Sequence, residues 1–250
     1  LSDQSGRKRR SMSPPPTISD LRIVLLGKCL AQTSRVSNSI LNRSVFETED
    51  PPDSRELHCE SLEGHVGERN ITLIITPHLF DTKLSLEDLT QIMKECVPLC
   101  KPGPHAFLLV VQYHDFTEED RNRLKCIINS FSDEAINYSV VISTDIEVYN
   151  SANEGQKTAI HNLTKDCHGR HHYFPQLHGR SEDSLSVCLL FEKIDQMVKD
   201  NGGGHLVYES FEDAEQSFKT DEKPETIQQA RFTDHSADLL QVRQRREKRL

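Results

Sequence analysis

Leu21-Arg22-Ile23-Val24-Leu25-Leu26, stopped by Gly27, is an almost unbroken apolar run of strand length. Such a run reads as a strand covered on both faces, the kind found in parallel sheets. Working outward, Ile71-Thr72-Leu73-Ile74-Ile75, His105 to Val111, Tyr138 to Ile142 and the short His172-Tyr173-Phe174 repeat the pattern. Helical patterns alternate with them. After a loop, a helix begins with Val36 to Leu41; Leu86, Leu89, Ile92, Met93 and Cys96 follow helical spacing behind Ser85 and stop before Pro102-Gly103-Pro104. Thr117 precedes Glu118-Glu119-Asp120 and caps a helix to about Ser130, the acids complementing the helix dipole. Ser151 to Asp166 and Leu185 to Lys199 read as two more helices, the second ended by Asn201-Gly202-Gly203-Gly204. Residues 47–68, polar and carrying Pro51-Pro52, read as a long surface loop.

Strand–helix alternation predicts an α/β fold, a mostly parallel sheet with helices on both faces in three layers. Such sheets bind ligands at the carboxyl ends of their strands, so chemistry belongs just after Gly27, Ile75 and Ile142. Residues 1–18 hold Gly6-Arg7-Lys8-Arg9-Arg10 and Ser13-Pro14-Pro15-Pro16 and read as a basic, Pro-rich leader. The ordered domain is expected over 19–204. Residues 205–250 form a charged extension, first acidic, then basic from Gln241 to Leu250, with Leu239, Leu240 and Val242 able to start an amphipathic helix. The first residue is Leu1 and reads as a processing or excerpt boundary.

The 250 residues carry a formal net charge of −9, which argues against a general nucleic-acid binder. Trp is absent and aromatics are 6%, unlike a carbohydrate or single-strand stacking surface. No run approaches the ~18 consecutive apolar residues that span a bilayer. Seven cysteines, at 29, 59, 96, 100, 126, 167 and 188, are scattered and odd in number; reduced thiols in a cytoplasmic setting are expected.

After the first strand comes Gly27-Lys28-Cys29-Leu30-Ala31-Gln32-Thr33-Ser34, followed by Arg35. It stands where a phosphate-binding loop of the pattern Gly, four residues, Gly, Lys, Ser/Thr belongs, but only Gly27 and Ser34 fit. Spacing alone carries nothing here; the surroundings carry more. LRIVLLGK at 21–28, SNSIL at 37–41, ITPHLFDT at 75–82, CVPLCKPGPHAFLLVVQ at 96–112, FTEEDRNRL at 116–124 and LLFEKIDQMVKDNGG at 189–203 together resemble the GTPase of immunity-associated protein (GIMAP) family. The resemblance covers about residues 20–204 and implies a P-loop NTPase-like G domain, in one chain or as one domain of a multi-G-domain member.

The resemblance implies a phosphate loop at Gly27 to Ser34, with family glycines at the positions of Leu30 and Gln32 and the phosphate lysine at that of Thr33. Glycine lets backbone approach a phosphate with φ > 0, and lysine neutralises the β/γ oxygens. Lys28 lies too early to replace it simply. Ser34 would be the magnesium ligand if nucleotide binds. The family's Asp-Thr-Pro-Gly corresponds to Ile75-Thr76-Pro77-His78, so the metal-side aspartate is gone; the switch threonine has no clear counterpart, Glu56 being nearest. Asp145, after Ser143-Thr144, stands near the guanine-reading position. No catalytic residue is identified.

The resemblance therefore implies an eroded site. The expected protein is a regulatory or assembly module, pairing as a homo- or hetero-oligomer with related G-domain proteins through Leu30 to Arg35 and His78 to Thr82. A weak GTP or GDP binder with magnesium and slow or absent hydrolysis is the alternative; a peripheral membrane adaptor using the basic tail is another. Cys167-His168-Gly169-Arg170-His171-His172, with Cys96 and Cys100, invites a zinc reading; structural positions are the simpler expectation, with Cys96 and Cys100 as small core residues. Leu189, Leu190, Ile194 and Met197 read as a core stripe.

Overall fold

The computed structural model describes residues 18–42, 58–77, 79–80, 83–145, 148–174 and 180–207. Residues 1–17 of the leader, Glu56, His78, Asp81, Thr82 and the basic tail lie outside the described residues. Among the described residues there are six strands, β1 (Asp20–Gly27), β2 (Glu60–Val66), β3 (Arg69–Ile75), β4 (Ala106–Val111), β5 (Ser139–Ser143) and β6 (His171–Tyr173). The same residues form five α-helices, α1 (Leu30–Leu41), α2 (Leu86–Cys96), α3 (Glu118–Asn129), α4 (Glu154–Asp166) and α5 (Arg180–Asp200).

One sheet runs in the order β2-β3-β1-β4-β5-β6. All neighbours pair in parallel except β2 with β3, which is antiparallel. In β1, Leu21, Ile23, Val24, Leu25 and Leu26 are buried, and all six residues of β4 are buried, as strands covered on both faces must be. The pairings Leu25↔Ile75 and Gly27↔Val110 bring the ends of β1, β3 and β4 to one edge of the sheet. The predicted α/β architecture, a mostly parallel sheet flanked by helices, is what the chain forms.

Four details differ from the sequence reading. Part of the expected surface loop is the edge strand β2, whose Glu60↔Ile75 to Val66↔Arg69 register closes a hairpin on Gly67 (φ 61°). Helix α1 begins at Leu30, six residues earlier than expected. The expectation of seven reduced thiols fails for two: Cys59 and Cys96, 37 residues apart, are joined as a disulfide with Cα atoms 5.5 Å apart. Cys29, Cys100, Cys126, Cys167 and Cys188 are free. In the α5 stripe, Leu190, Ile194 and Met197 are buried, but Leu189 is 48% exposed.

Candidate functional site

The link from β1 into α1 is two residues long. Lys28 bends the chain, and Cys29 is the extended N-cap (φ −109°, ψ 112°). Leu30, Ala31 and Gln32 are good helix formers, and with side chains at the positions of the expected glycines the helical ladder closes at once. Thr33 N donates to Cys29 O at 3.1 Å, and the Thr33 hydroxyl donates to the same carbonyl at 3.1 Å. Ser37 Oγ donates in turn to Thr33 O at 2.9 Å. Gln32, Thr33 and Ser34 are all buried, while Arg35 is exposed.

Gly27 is closed in from both sides. A Cβ there would meet Thr33 Oγ1 at 2.5 Å and the Cβ and carbonyl oxygen of Val110 at 3.3 Å. The Thr33 side chain lies directly beside the end of β1.

Lys28 turns to α3. Its Nζ donates to Asp115 O at 2.7 Å and pairs with Asp120 Oδ2 at 3.0 Å. Asp120 also closes the α3 capping box, accepting from Thr117 N at 2.9 Å and giving its own amide to Thr117 Oγ1 at 3.2 Å. Burial pushes the Asp115 carboxyl up, with Lys28 and then His114 opposing the shift.

At the end of β3, Ile75 is 4% exposed and presents hydrocarbon where a metal-side carboxylate is expected. Thr76 is sewn back to β1: its amide and hydroxyl both donate to Leu25 O, at 3.3 and 3.1 Å.

Asp145 lies at the end of β5 and is 6% exposed. Both its oxygens accept from Tyr113 N, at 3.0 and 2.9 Å, and His114 Nδ1 is 3.0 Å from Oδ2. Its carboxylate therefore ties β5 to the end of β4. Beside it, Tyr113 and Tyr149 meet edge-on at 5.1 Å, and Lys157 lies 5.0 Å over the Tyr149 ring. Burial raises the Tyr113 hydroxyl, with Tyr149 and Asp145 adding to the shift. Thr144 Oγ1 is a buried hydroxyl without a hydrogen-bond partner among the described residues.

Helix N-termini at this edge differ in one respect. Ser85 and Asp88 cap α2, Thr117 and Asp120 cap α3, and Asn153 and Gln156 cap α4, each as a reciprocal box. Cys29 makes no side-chain cap to α1.

The structure thus gathers Gly27 to Ser34, Ile75-Thr76 and Asp145 at the carboxyl edge, as the strand pattern predicts. Sequence reasoning missed the Lys28–Asp120 pair, the Tyr149–Lys157 contact and the orphan Thr144 hydroxyl. The spacing Thr117 to Asp120 announced a capping box but not its second partner.

The Cys167–His172 stretch is structural in its contacts. Cys167 is fully buried, and burial pushes its thiol up to about 12. His168 Nε2 is 2.8 Å from Asn137 Oδ1, and His172 Nε2 is 3.0 Å from Ser186 Oγ. Among the described residues, no group of three His, Cys, Asp or Glu side chains is placed to hold a metal. No helix among them is long and apolar enough to cross a membrane.

Comparison with known proteins adds the following. The AIG1 family model matches residues 21–225. "GTPase IMAP family member 8" of Homo sapiens is 30% identical over 196 residues, covering 76% of this chain and 29% of that protein. "Immune-associated nucleotide-binding protein 7" of Arabidopsis thaliana is 29% identical over 151 residues, covering 58% of this chain and 46% of that protein. The chain therefore spans less than half the length of either relative. Among solved structures, Toc33 of Arabidopsis thaliana with Mg2+ and GMPPNP superposes with a TM-score of 0.56 at 15% identity, covering 76% of this chain and 89% of that one. A structure concerned with dimerization of the chloroplast translocon components atToc33 and psToc159 also superposes at 0.56, with 14% identity over 72% of this chain and 83% of that one. Similarity at this level bears on the fold, which is that of P-loop GTPases.

Proposed function

The chain belongs to the AIG1 family, and on that premise we propose that it works as a G-domain assembly module whose phosphate loop has closed into α1. The observation that carries this reading is the Thr33 side chain. It occupies the space beside Gly27 and spends its hydroxyl on Cys29 O, at the position where the family resemblance expects the phosphate lysine.

Each group that a magnesium nucleotide needs has another task or another chemistry here. Lys28 is held by Asp115 and Asp120. Ser34 is 3% exposed and lies within the helix. Ile75 has no oxygen to offer a metal-bound water. These residues in this arrangement do not fit a nucleoside triphosphate with its metal, so no hydrolytic step is assigned. What the edge retains is the surface formed by the starts of α1 and α3 and the end of β5. We assign it to pairing with a second G domain, of this chain or of a related one. Dimerization is important for the GTPase activity of atToc33 and psToc159, which share this fold, and that supports the pairing reading.

Sedimentation velocity tests the assembly reading, with the chain alone and mixed with a nucleotide-loaded AIG1-family G domain. A faster-sedimenting complex in the micromolar range supports it, and Arg35→Glu, a change at an exposed position, should weaken that complex. Separate monomers at every concentration would sink it.

A second reading has its own support. The start of α1 lacks the side-chain cap that α2, α3 and α4 carry, and an uncapped helix N-terminus favours anions. In this reading the chain binds guanine nucleotide weakly through backbone N–H groups and hydrolyses it slowly or not at all. Saturable, magnesium-dependent nucleotide binding would favour it over the first.

A further inference from the structure

We propose that Cys59 and Cys96 are a reversible thiol–disulfide pair that fastens the entry of edge strand β2 to the end of helix α2. The pair is defined by placement. Cys59 is the residue before β2, and Cys96 is the last residue of α2. Their Cα atoms are 5.5 Å apart, inside the range a disulfide spans without backbone movement. His58 Nδ1 lies 3.5 Å from Glu95 Oε2, so the residues just before both cysteines meet as well.

The surroundings suit a bond that opens and closes. Cys96 is fully buried, whereas Cys59 is partly exposed and within reach of a small oxidant or reductant. A third sulfur sits nearby: Cys100 Sγ donates to Cys96 O at 3.3 Å. Burial holds that thiol protonated, pushing it up to about 12, and a protonated thiol does not attack a disulfide. The pair can therefore exchange with solution without being scrambled by its own neighbour.

β2 gives the bond something to act on. It is an edge strand with β3 as its one neighbour in the sheet, and its residues are exposed or half-exposed throughout. Such a strand opens easily unless something pins it. The disulfide closes the chain from 59 to 96, a span that includes β2, β3 and α2, and so removes freedom from the opened state.

The oxidant we name is a hydroperoxide. The Cys59 thiol ionises and its thiolate attacks a peroxide oxygen; the O–O bond breaks, sulfenic acid forms, and the departing hydroxide takes up the thiol's proton as water. The Cys96 thiol then attacks the sulfenic sulfur and passes its proton to the departing hydroxide, which leaves as a second water as the S–S bond forms. Two thiols and one hydrogen peroxide thus give one disulfide and two waters. A dithiol reductant reverses the change by exchange.

The test begins with the full chain, reduced with a phosphine and then treated with stoichiometric hydrogen peroxide. Alkylation in denaturant should add two fewer maleimides than the seven that the reduced chain accepts, and peptide mapping should find 59 joined to 96. Amide exchange across Glu60–Val66 should slow by about fivefold or more on oxidation, while β4 and β5 stay unchanged. The oxidised chain should melt about 5–10 °C higher. Cys59→Ser should abolish both effects, and Cys188→Ser should leave them intact. The oxidised-against-reduced comparison of the natural chain stands without either variant. Seven alkylated cysteines after peroxide, a cross-link through another cysteine, or a 59–96 bond that leaves exchange in β2 unaltered would each overturn the proposal.

Discussion

The Thr33 hydroxyl stands 2.5 Å from the point where Gly27 would carry a Cβ, and it donates to Cys29 O at 3.1 Å. A side chain at 27 would therefore collide with the Thr33 hydroxyl. Gly27→Ala should cost about 1–3 kcal/mol through overpacking. Thr33→Ala in the same chain should return part of that loss, with a coupling of at least ~0.5 kcal/mol in a denaturant double-mutant cycle. Strict additivity would mean that the two residues do not contact.

Lys28 and Asp120 form a partly exposed pair, with side chains 33% and 15% accessible. Lys28→Ala should cost less than ~1 kcal/mol in urea melts. Asp120→Ala should cost more, about 1–2 kcal/mol, because it also removes the α3 cap. Equal losses would contradict the double role of Asp120.

Asp195 takes both arms of Arg69, at 3.0 and 2.5 Å, with only 4% of its side chain exposed, and Arg69 stacks over Phe191 at 5.3 Å. The pair locks the start of β3 to α5. Asp195→Ala leaves a half-buried guanidinium without its counter-ion and should cost about 1–3 kcal/mol, measured by chemical denaturation. Replacing both residues with apolar ones should cost less than the single change.

His105 and His172 are 7% and 8% exposed, and burial lowers each from 6.5 to about 4. Neighbouring basic groups add to the shift, Arg22 and His205 at the first and Lys193 and His171 at the second. A lowered histidine binds its proton more readily in the unfolded chain. Stability should thus be full above pH 6.5 and fall as pH drops toward 4. Each histidine should contribute about 2 kcal/mol of the difference between pH 7 and pH 5. His105→Asn and His172→Asn should flatten urea-midpoint profiles in that window; an unchanged slope would refute the assignment.

What the sequence made legible follows burial. β4 and β1 from Ile23 to Leu26 are covered on both faces, so those residues are apolar throughout and announce themselves. β2 lies at the edge with its residues exposed or half-exposed, and Glu60, Ser61, Glu63 and His65 give a segment as polar as a loop. The early start of α1 was hidden for another reason: resemblance assigned a loop to Gly27–Ser34, whereas Leu30, Ala31 and Gln32 favour helix by their own propensity. The positions of the candidate site follow from the strand ends. Its contacts do not, because Lys28 to Asp120 and Asp145 to Tyr113 join residues 92 and 32 apart that meet only in the tertiary fold. The same holds for Cys59 and Cys96.

The most direct test is a titration of the natural chain with fluorescent GTP and GDP in the presence of magnesium. The variant carrying Leu30→Gly, Gln32→Gly and Thr33→Lys should be measured beside it. The account predicts no saturation of the natural chain into the high micromolar range, and a gain of at least tenfold, about 1.4 kcal/mol, in the variant. Low-micromolar, magnesium-dependent saturation of the natural chain would contradict it and make this domain a guanine-nucleotide binder with an unusual loop.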